Sequence, residues 1–468
     1  MKENREIIVD FEKIGHNGVS IGRYNNKVVF SYGILPEEKA KIRIFKEKKD
    51  FIEGELIEVI EKSPYRIPAK ESHYLSCSPW QTFDYNFQVE IKKKLLKEIF
   101  FDFTKEEIEL NDFFKAEKIW GYRTKIEYSF VRGSALSMRQ FGLRSASAQT
   151  FSHGLPESRS PKPRTFKEDE VENYQIFFAF HKRGSHFEKV IVENGCLLFG
   201  EKENEVALEL LEEINKKKLE NLKSLVIRRS FSFPYLHFSL FVNDKNLDFD
   251  FQHPNLTGFA LIYSNPKSPA SVITQILKSE GREEVLEKIG NLKIKYHYSS
   301  FFQNNLELFE KALSLMKENL NEVNKIVDLY CGVGIIGLYL AEKAKKIMGI
   351  DIDEQAVKFA KLNAKENNIK NFEGIALPSE KINPEILKDT DVLILDPPRS
   401  GLHKKVINLI REMKPKRIFY LSCNPITQAR DYLMIKDYYR IEKFYGLDFY
   451  PHTNHCENLL ILHLIKKL

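Results

Sequence analysis

The sequence predicts a multidomain α/β chain: a small N-terminal β-barrel of the OB-like type, a central mixed β-rich domain, and a C-terminal doubly wound, Rossmann-like sheet. Three observations carry this. Short β-rich runs alternate with turn signals over the first 65 residues; strand-like runs return from Trp120; and after Ser299 strands alternate with helices. The 468 residues suffice for two to four domains at roughly 100–200 residues each.

The barrel rests on Ile7-Ile8-Val9, Val28-Val29-Phe30, Ala40 to Phe45 and Phe51 to Ile60, punctuated by Gly15-His16-Asn17-Gly18 and Gly33 to Pro36. In Lys39 to Lys46 basic residues alternate with apolar ones at strand period, so they share one face. That face suits nucleic acid, although a solvated strand is the commoner source of such alternation. Residues 88–110 read as a helix. In the middle region, Lys125 to Val131, Leu225 to Arg228 and His237 to Val242 read as strands. Residues 132–165 interrupt them with seven Ser, three Pro and six Lys or Arg against the single Glu157. Such a composition buries too little to order itself and predicts a mobile basic insertion. The last region runs Ile326 to Tyr330, a helix from Ile336, Lys346 to Ile352, a helix over Glu354–Asn367, Val392 to Asp396, a helix from Lys404, and Arg417 to Leu421. The expected domains are 1–65, 66–290 and 291–468.

Composition narrows the function classes. With 43% hydrophobic and 29% charged residues, wholesale disorder, collagen and coiled coil are excluded. A net charge of +6 and 12% aromatic residues suit an anionic, stackable partner. No run approaches the ~18 apolar residues of a membrane span, and Met1 to Glu6 has no apolar stretch behind it, so a cytoplasmic protein is expected. The five cysteines form no C-x-x-C pair and no disulfide framework.

The chemistry-bearing motifs lie in the last region. Asp328-Leu329-Tyr330-Cys331-Gly332-Val333-Gly334 is a glycine-rich turn from strand to helix, and Asp351 ends the next strand, where a carboxylate can grip ribose hydroxyls. NAD-binding and S-adenosylmethionine-binding sheets share this pattern. Asp396-Pro397-Pro398-Arg399 places a carboxylate and a stiffened turn at the carboxyl edge of the sheet. Ser422-Cys423-Asn424-Pro425 reaches the same edge, and a cysteine there is a candidate nucleophile. Glu457, leading into the final strand, is a candidate base, with metal ligation by His452, His455 and Cys456 as the alternative. A cysteine, a carboxylate and a methyl-donor crevice together suit methylation of carbon 5 of a pyrimidine, which needs one nucleophile and one general base.

These motifs, with Ser300-Phe301-Phe302-Gln303-Asn304-Asn305 and His452-Thr453, closely resemble the RNA uracil-5 methyltransferases. Residues 1–65 resemble a TRAM domain, and Trp120-Gly121-Tyr122-Arg123-Thr124-Lys125 resembles the start of that family's central RNA-binding domain. The resemblance implies Cys423 as nucleophile, Glu457 as base, and Asp396 and Arg399 positioning the uracil. Gln303, Asp328, Tyr330, Gly332, Gly334, Asp351 and Asp396 would form the S-adenosylmethionine site. Phe301, Arg123 and Lys125 would contact RNA, Phe301 by stacking on a flipped base. It also implies that the helix at 88–110 packs on the catalytic domain, and that the substrate is ribosomal or transfer RNA, the TRAM-like domain favouring ribosomal RNA. A monomer with no obligate protein partner is expected.

The sequence departs from the family in places. Many members hold an iron–sulfur cluster on four cysteines; here Cys77 and Cys196 match two of them, and Trp80 stands at the third. Two thiolates cannot complete a four-thiolate site, so neither a cluster nor a metal is expected. The acidic residue often found after the third strand is missing from Gly374-Ile375-Ala376-Leu377. Two other functions fit parts of the chain: a cytosine-5 RNA methyltransferase, disfavoured because Pro398 is followed by Arg399 and not cysteine, and a non-catalytic RNA-binding protein, disfavoured by Cys423 and Glu457. An NAD-dependent oxidoreductase would explain the glycine turn alone.

Overall fold

The computed structural model describes residues 5–134, 174–184, 188–268 and 271–465. Beyond its first three residues, the basic insertion expected at 132–165 lies outside them.

Strands β1 (Glu6–Ile14), β2 (Ser20–Tyr24), β3 (Lys27–Ser31), β4 (Glu38–Glu47) and β5 (Phe51–Glu61) close into a barrel in the order β1-β2-β3-β5-β4. Alternate side chains, among them Ile7, Val9, Phe11, Val29, Ile42 and Ile52, fill it. Strand β2, hidden in the sequence by its glycine and arginine, is joined to β3 by Asn25-Asn26, both left-handed at φ 47° and 62° as a two-residue hairpin turn requires. The basic face of β4 is not free. Lys39 pairs with Glu61, Lys41 and Arg43 with Glu6, and Lys46 with Glu53, so of the two readings of this alternation the ion-paired, solvated strand describes it.

Helices α1 (Tyr74–Cys77) and α2 (Tyr85–Thr104) follow. The expected 88–110 helix starts earlier because Asp84 caps the Asn86 and Phe87 amides, and ends earlier because Lys105 turns left-handed at φ 58°. Leu95 packs with Ile14, Leu35, Trp80 and Phe83, while Leu96, Ile99 and Phe100 join the core of the C-terminal sheet. The helix thus wedges between barrel and catalytic sheet. Its buried Lys92 donates to Asp448 Oδ1 at 2.5 Å and to the Tyr450 carbonyl at 3.1 Å. Removing one partner of a buried ion pair strands the other charge, so Lys92→Ala is expected to lower stability by about 3–5 kcal/mol, read as a lower urea midpoint at unchanged slope.

After β6 (Asp112–Phe114), the central sheet is built from β7 (Lys125–Ser134), β8 (Tyr174–His181), β9 (Lys189–Val192), β10 (Leu222–Arg229), β11 (Leu236–Val242), β12 (Gly258–Tyr263) and β13 (Gln275–Gly281), with α3 (Glu201–Lys216) packed against it. Its order is β13-β12-β11-β10-β7-β8-β9. Hairpin β14 (Glu284–Ile289) and β15 (Leu292–His297) turns at Gly290, where the sequence places a domain boundary. Its Val285, Ile289, Ile294 and Tyr296 pack into the catalytic core.

The last region contains α4 (Leu306–Glu318), β16 (Val323–Leu329), α5 (Ile335–Tyr339), β17 (Ala344–Asp351), α6 (Glu354–Glu366), β18 (Phe372–Ala376), β19 (Val392–Leu395), α7 (Lys404–Met413), β20 (Arg417–Ser422), α8 (Pro425–Ile435), β21 (Tyr439–Leu447) and β22 (Glu457–Leu464). The sheet order is β18-β17-β16-β19-β20-β22-β21-β6. Strands β18 to β20 are parallel as expected, but β22 runs antiparallel to β20 and to β21. This inserted hairpin brings the start of β22 back to the carboxyl edge beside the end of β20. Among the described residues no helix is long and apolar enough to cross a membrane.

Candidate active site

The carboxyl edge of β16 carries the glycine turn. Tyr330, Gly332 and Gly334 are all left-handed, at φ 64°, 52° and 86°, and a Cβ on Gly332 would meet nothing within 4 Å. The backbone is therefore open to a ligand at that point. Asp351 Oδ2 accepts from the Gly332 amide at 2.8 Å and so ties the tip of β17 to the turn. Next to it Ile352 is 71% exposed, an apolar plate that sequence inspection missed because a lone isoleucine at a strand end looks like core. Asp328 is fully buried; Oδ2 accepts from the Gly337 amide at 3.0 Å and Oδ1 has no partner. Burial pushes its carboxyl up to about 8, against the pull of the Gly337 bond. Tyr330 contributes its backbone to the turn, while its ring lies with Pro398 and Leu402.

Asp396, at the end of β19, keeps part of its surface open, yet desolvation raises its carboxyl to about 7. It accepts from Gln303 Nε2 at 3.4 Å. Gln303 is itself placed by the central domain: Thr124 Oγ1 donates to the Gln303 carbonyl at 2.9 Å, the Thr124 amide to the Asn304 carbonyl at 3.2 Å, and buried Arg228 binds the Tyr298 and Ser300 carbonyls, each at 2.7 Å. The segment so held leaves Phe301 77% exposed. Arg123 and Lys125 are half-buried where β7 begins.

Cys423 follows β20 and is half-buried. Burial, then the nearby Glu457 carboxyl, push its thiol up to about 12, and the Arg399 guanidinium pulls the other way. Glu457 opens β22 almost fully buried, its carboxyl held well above the ordinary range by burial and by Asp396; Tyr450 donates to its Oε1 at 3.5 Å. Cys423 and Glu457 thus each feel the charges of Asp396 and Arg399. His455, held neutral by burial and the neighbouring Arg399, places Nδ1 3.2 Å from an Arg399 amino group. The alternative metal trio is not assembled: His452 stacks on Trp120 at 3.9 Å, His455 faces Arg399, and Cys456 packs in the core. Sequence inspection missed Tyr450 and the barrel's own part in the site. Asn454 Nδ2 donates to the Asn17 carbonyl at 3.0 Å, and a Cβ on Gly18 would strike Asn454. The barrel's first turn is docked on the loop that carries the base, and the Gly15 to Gly18 signal showed only that a turn exists.

A carboxyl whose folded pKa is raised contributes stability at low pH and loses it as pH rises through the folded value. Asp328 and Asp396, raised to about 8 and about 7, therefore cost stability between about pH 4 and pH 8. Asp328→Asn keeps the Gly337 bond without a charge. Its stability is expected to exceed wild type at about pH 8.5 by on the order of a few kcal/mol and to match it only below about pH 4, the unfolded value; equal stability at both ends would contradict it.

The parallel sheet, glycine turn and acidic strand tip define the nucleotide-binding fold of S-adenosylmethionine-dependent methyltransferases. The residues fit that cofactor, since Gly332 leaves room for it and Asp328 Oδ1 is an unpartnered buried atom beside the turn. Residues 273–465 match the family model described as tRNA (Uracil-5-)-methyltransferase, and residues 1–57 match the TRAM domain. A Clostridium tetani protein described as an uncharacterized RNA methyltransferase is 29% identical, covering 98% of each chain. One from Caldanaerobacter subterraneus subsp. tengcongensis, similarly described, is 28% identical over 98% of each. The crystal structure of Pyrococcus abyssi tRNA (uracil-54, C5)-methyltransferase in complex with S-adenosyl-L-homocysteine shares the fold, with a TM-score of 0.70 at 24% identity, over 97% of this chain and 100% of that one. Residues 273–465 are thus similar to the RNA uracil-5 methyltransferase family, in a chain that is similar along its length to RNA methyltransferases and carries a TRAM domain at its N-terminus.

Proposed function

We propose that the chain methylates carbon 5 of a uridine in structured RNA through a covalent adduct between Cys423 and carbon 6. The observation that carries this is the grouping of Cys423, Glu457, Asp396 and Arg399 at one sheet edge, where the Cys423 thiol and the Glu457 carboxyl each feel the charges of Asp396 and Arg399. Carbon 5 of uracil is not nucleophilic until a thiolate adds to carbon 6 and sends the ring electron pair toward the 4-carbonyl. When bound, S-adenosylmethionine supplies an electrophilic methyl group. With a methyl group placed on carbon 5 and the neutral thioether left by the donor, Glu457 would remove the carbon-5 proton, and the returning electron pair would expel the Cys423 thiolate. Arg399 favours the thiolate and the oxyanion, and Asp396 with Gln303 orients the uracil. Gly332, Gly334, Asp328, the Tyr330 backbone and Asp351 hold the cofactor, with Ile352 offering its adenine an apolar surface.

Attack on the ring face requires the base to leave its stack, and Phe301, 77% exposed, is placed to stack on it. Arg123 and Lys125 bind the RNA backbone. The TRAM barrel docked beside Glu457 favours ribosomal RNA as substrate. Transfer RNA is the second reading, because the Pyrococcus abyssi enzyme acts on uracil 54 of tRNA. The protein acts as a cytoplasmic monomer. The test is transfer of a labelled methyl group to unmodified ribosomal and transfer RNA in parallel, followed by nucleoside analysis. Label in 5-methyluridine is expected; label in 5-methylcytidine, or in neither RNA, would refute it.

A further inference from the structure

Glu71, His73 and Cys77, around the short helix α1, meet Cys196 from the loop after β9. One ligand atom from each lies within 4.8 Å of all the others. This cluster stands apart from the methyl-transfer site, and nothing in the reaction above uses it. The family's four-thiolate iron–sulfur centre does not fit here, because two of the four groups are not sulfur and the Trp80 ring is buried against Phe83. The expectation of no metal counted thiolates alone, and the fold adds a carboxylate and an imidazole that the sequence pattern did not bring together.

From this geometry we infer that the four side chains form a mononuclear zinc site of the Cys2HisGlu type. Two sulfurs, a nitrogen and an oxygen are the donor set that zinc accepts in tetrahedral sites. A tetrahedron with zinc–ligand bonds of about 2.0–2.3 Å has edges of about 3.5 Å, so spacings of up to 4.8 Å would close by at most about 1.3 Å on binding. His73 is 4% exposed, and its Nε2 pairs with Glu71 Oε1 at 3.2 Å, so the imidazole and the carboxylate already face each other inside the cluster.

The groups behind the ligands are themselves fixed, as metal sites require. Glu71 Oε1 accepts from the Leu197 amide at 2.6 Å and Oε2 from Gln81 Nε2 at 2.8 Å. The Cys196 amide donates to Tyr128 Oη at 3.0 Å, and Asn204 Nδ2 donates to the Cys196 carbonyl at 3.0 Å. A divalent cation would hold both sulfurs as thiolates and offset their charge and that of the Glu71 carboxylate. The zinc would tie the segment leading into α2 to the central domain. The Gly121 and Arg123 amides bond the Leu197 and Leu198 carbonyls, so the same loop supports the start of β7.

The experiment is metal analysis of the full-length chain, produced with added zinc and desalted, together with cobalt(II) titration of the chelator-stripped protein. One zinc per chain is expected, with cobalt giving thiolate charge-transfer and tetrahedral d–d bands. Glu71→Gln is expected to weaken zinc binding at least about 10-fold, and Cys196→Ser to abolish the charge-transfer band. If the serine variant does not fold, the wild-type cobalt spectrum and the milder Glu71→Gln variant still decide the question. No metal binding, iron with sulfide in place of zinc, or zinc retained unchanged in Glu71→Gln would each overturn the assignment.

Discussion

Cys423→Ala is expected to abolish methyl transfer, with a loss on the order of 10⁴-fold or more, while S-adenosylmethionine binding is unchanged. The loss is large because the thiolate does more than bind: without addition at carbon 6, carbon 5 has no electron pair to offer the methyl group. The thiol begins far from its reactive state, raised to about 12 by burial and by the Glu457 carboxyl. Activity is therefore expected to rise with pH from neutral into the alkaline range, since Cys423 and Glu457 must both lose a proton and both are held up. Arg399 opposes that shift, so Arg399→Ala should move the profile to still higher pH. Rates measured across pH for wild type and Arg399→Ala check this, and a profile that falls steadily above neutral would contradict the assignment of Cys423.

Glu457→Gln stops the reaction after methyl transfer. Removing a general base costs about 10²–10⁴-fold in turnover, but here it has a second signature. The methylated, still-bonded RNA accumulates on the protein, because the carbon-5 proton cannot leave and the thiolate cannot be expelled. Denaturing electrophoresis of the variant with RNA and S-adenosylmethionine should show a retarded band absent from Cys423→Ala. Near-normal turnover by Glu457→Gln would remove Glu457 from the mechanism. Tyr450, whose hydroxyl is 3.5 Å from Glu457 Oε1, orients the same carboxyl.

The motifs of the last region were legible because short stretches carry both geometry and chemistry. Asp328 to Gly334 turns left-handed where glycine permits it, and Asp396-Pro397-Pro398 leaves its strand at the ligand-binding edge. What joins the stretches was not legible. The antiparallel β21–β22 hairpin that returns Glu457 to Cys423 depends on strand order, which local alternation does not encode. The basic face of β4 looked free because its carboxylate partners, Glu6, Glu53 and Glu61, sit on neighbouring strands at registers set only by barrel closure. Lys92 read as one more polar residue on α2 until Asp448, far along the chain, appeared opposite it. Of the Glu71, His73, Cys77 and Cys196 cluster the sequence pattern paired only the two cysteines, since the carboxylate and the imidazole join them through the fold and not through a spacing.

The most direct test of the account uses RNA in which 5-fluorouridine replaces uridine. Fluorine at carbon 5 cannot be removed as a proton, so the adduct formed after methyl transfer cannot resolve. Wild-type enzyme with S-adenosylmethionine should form a stable complex, and after nuclease and protease digestion mass spectrometry should find a methylated fluorouridine nucleotide on the peptide containing Cys423. A complex through another residue, or none in the presence of an RNA that is otherwise methylated, would contradict the covalent mechanism.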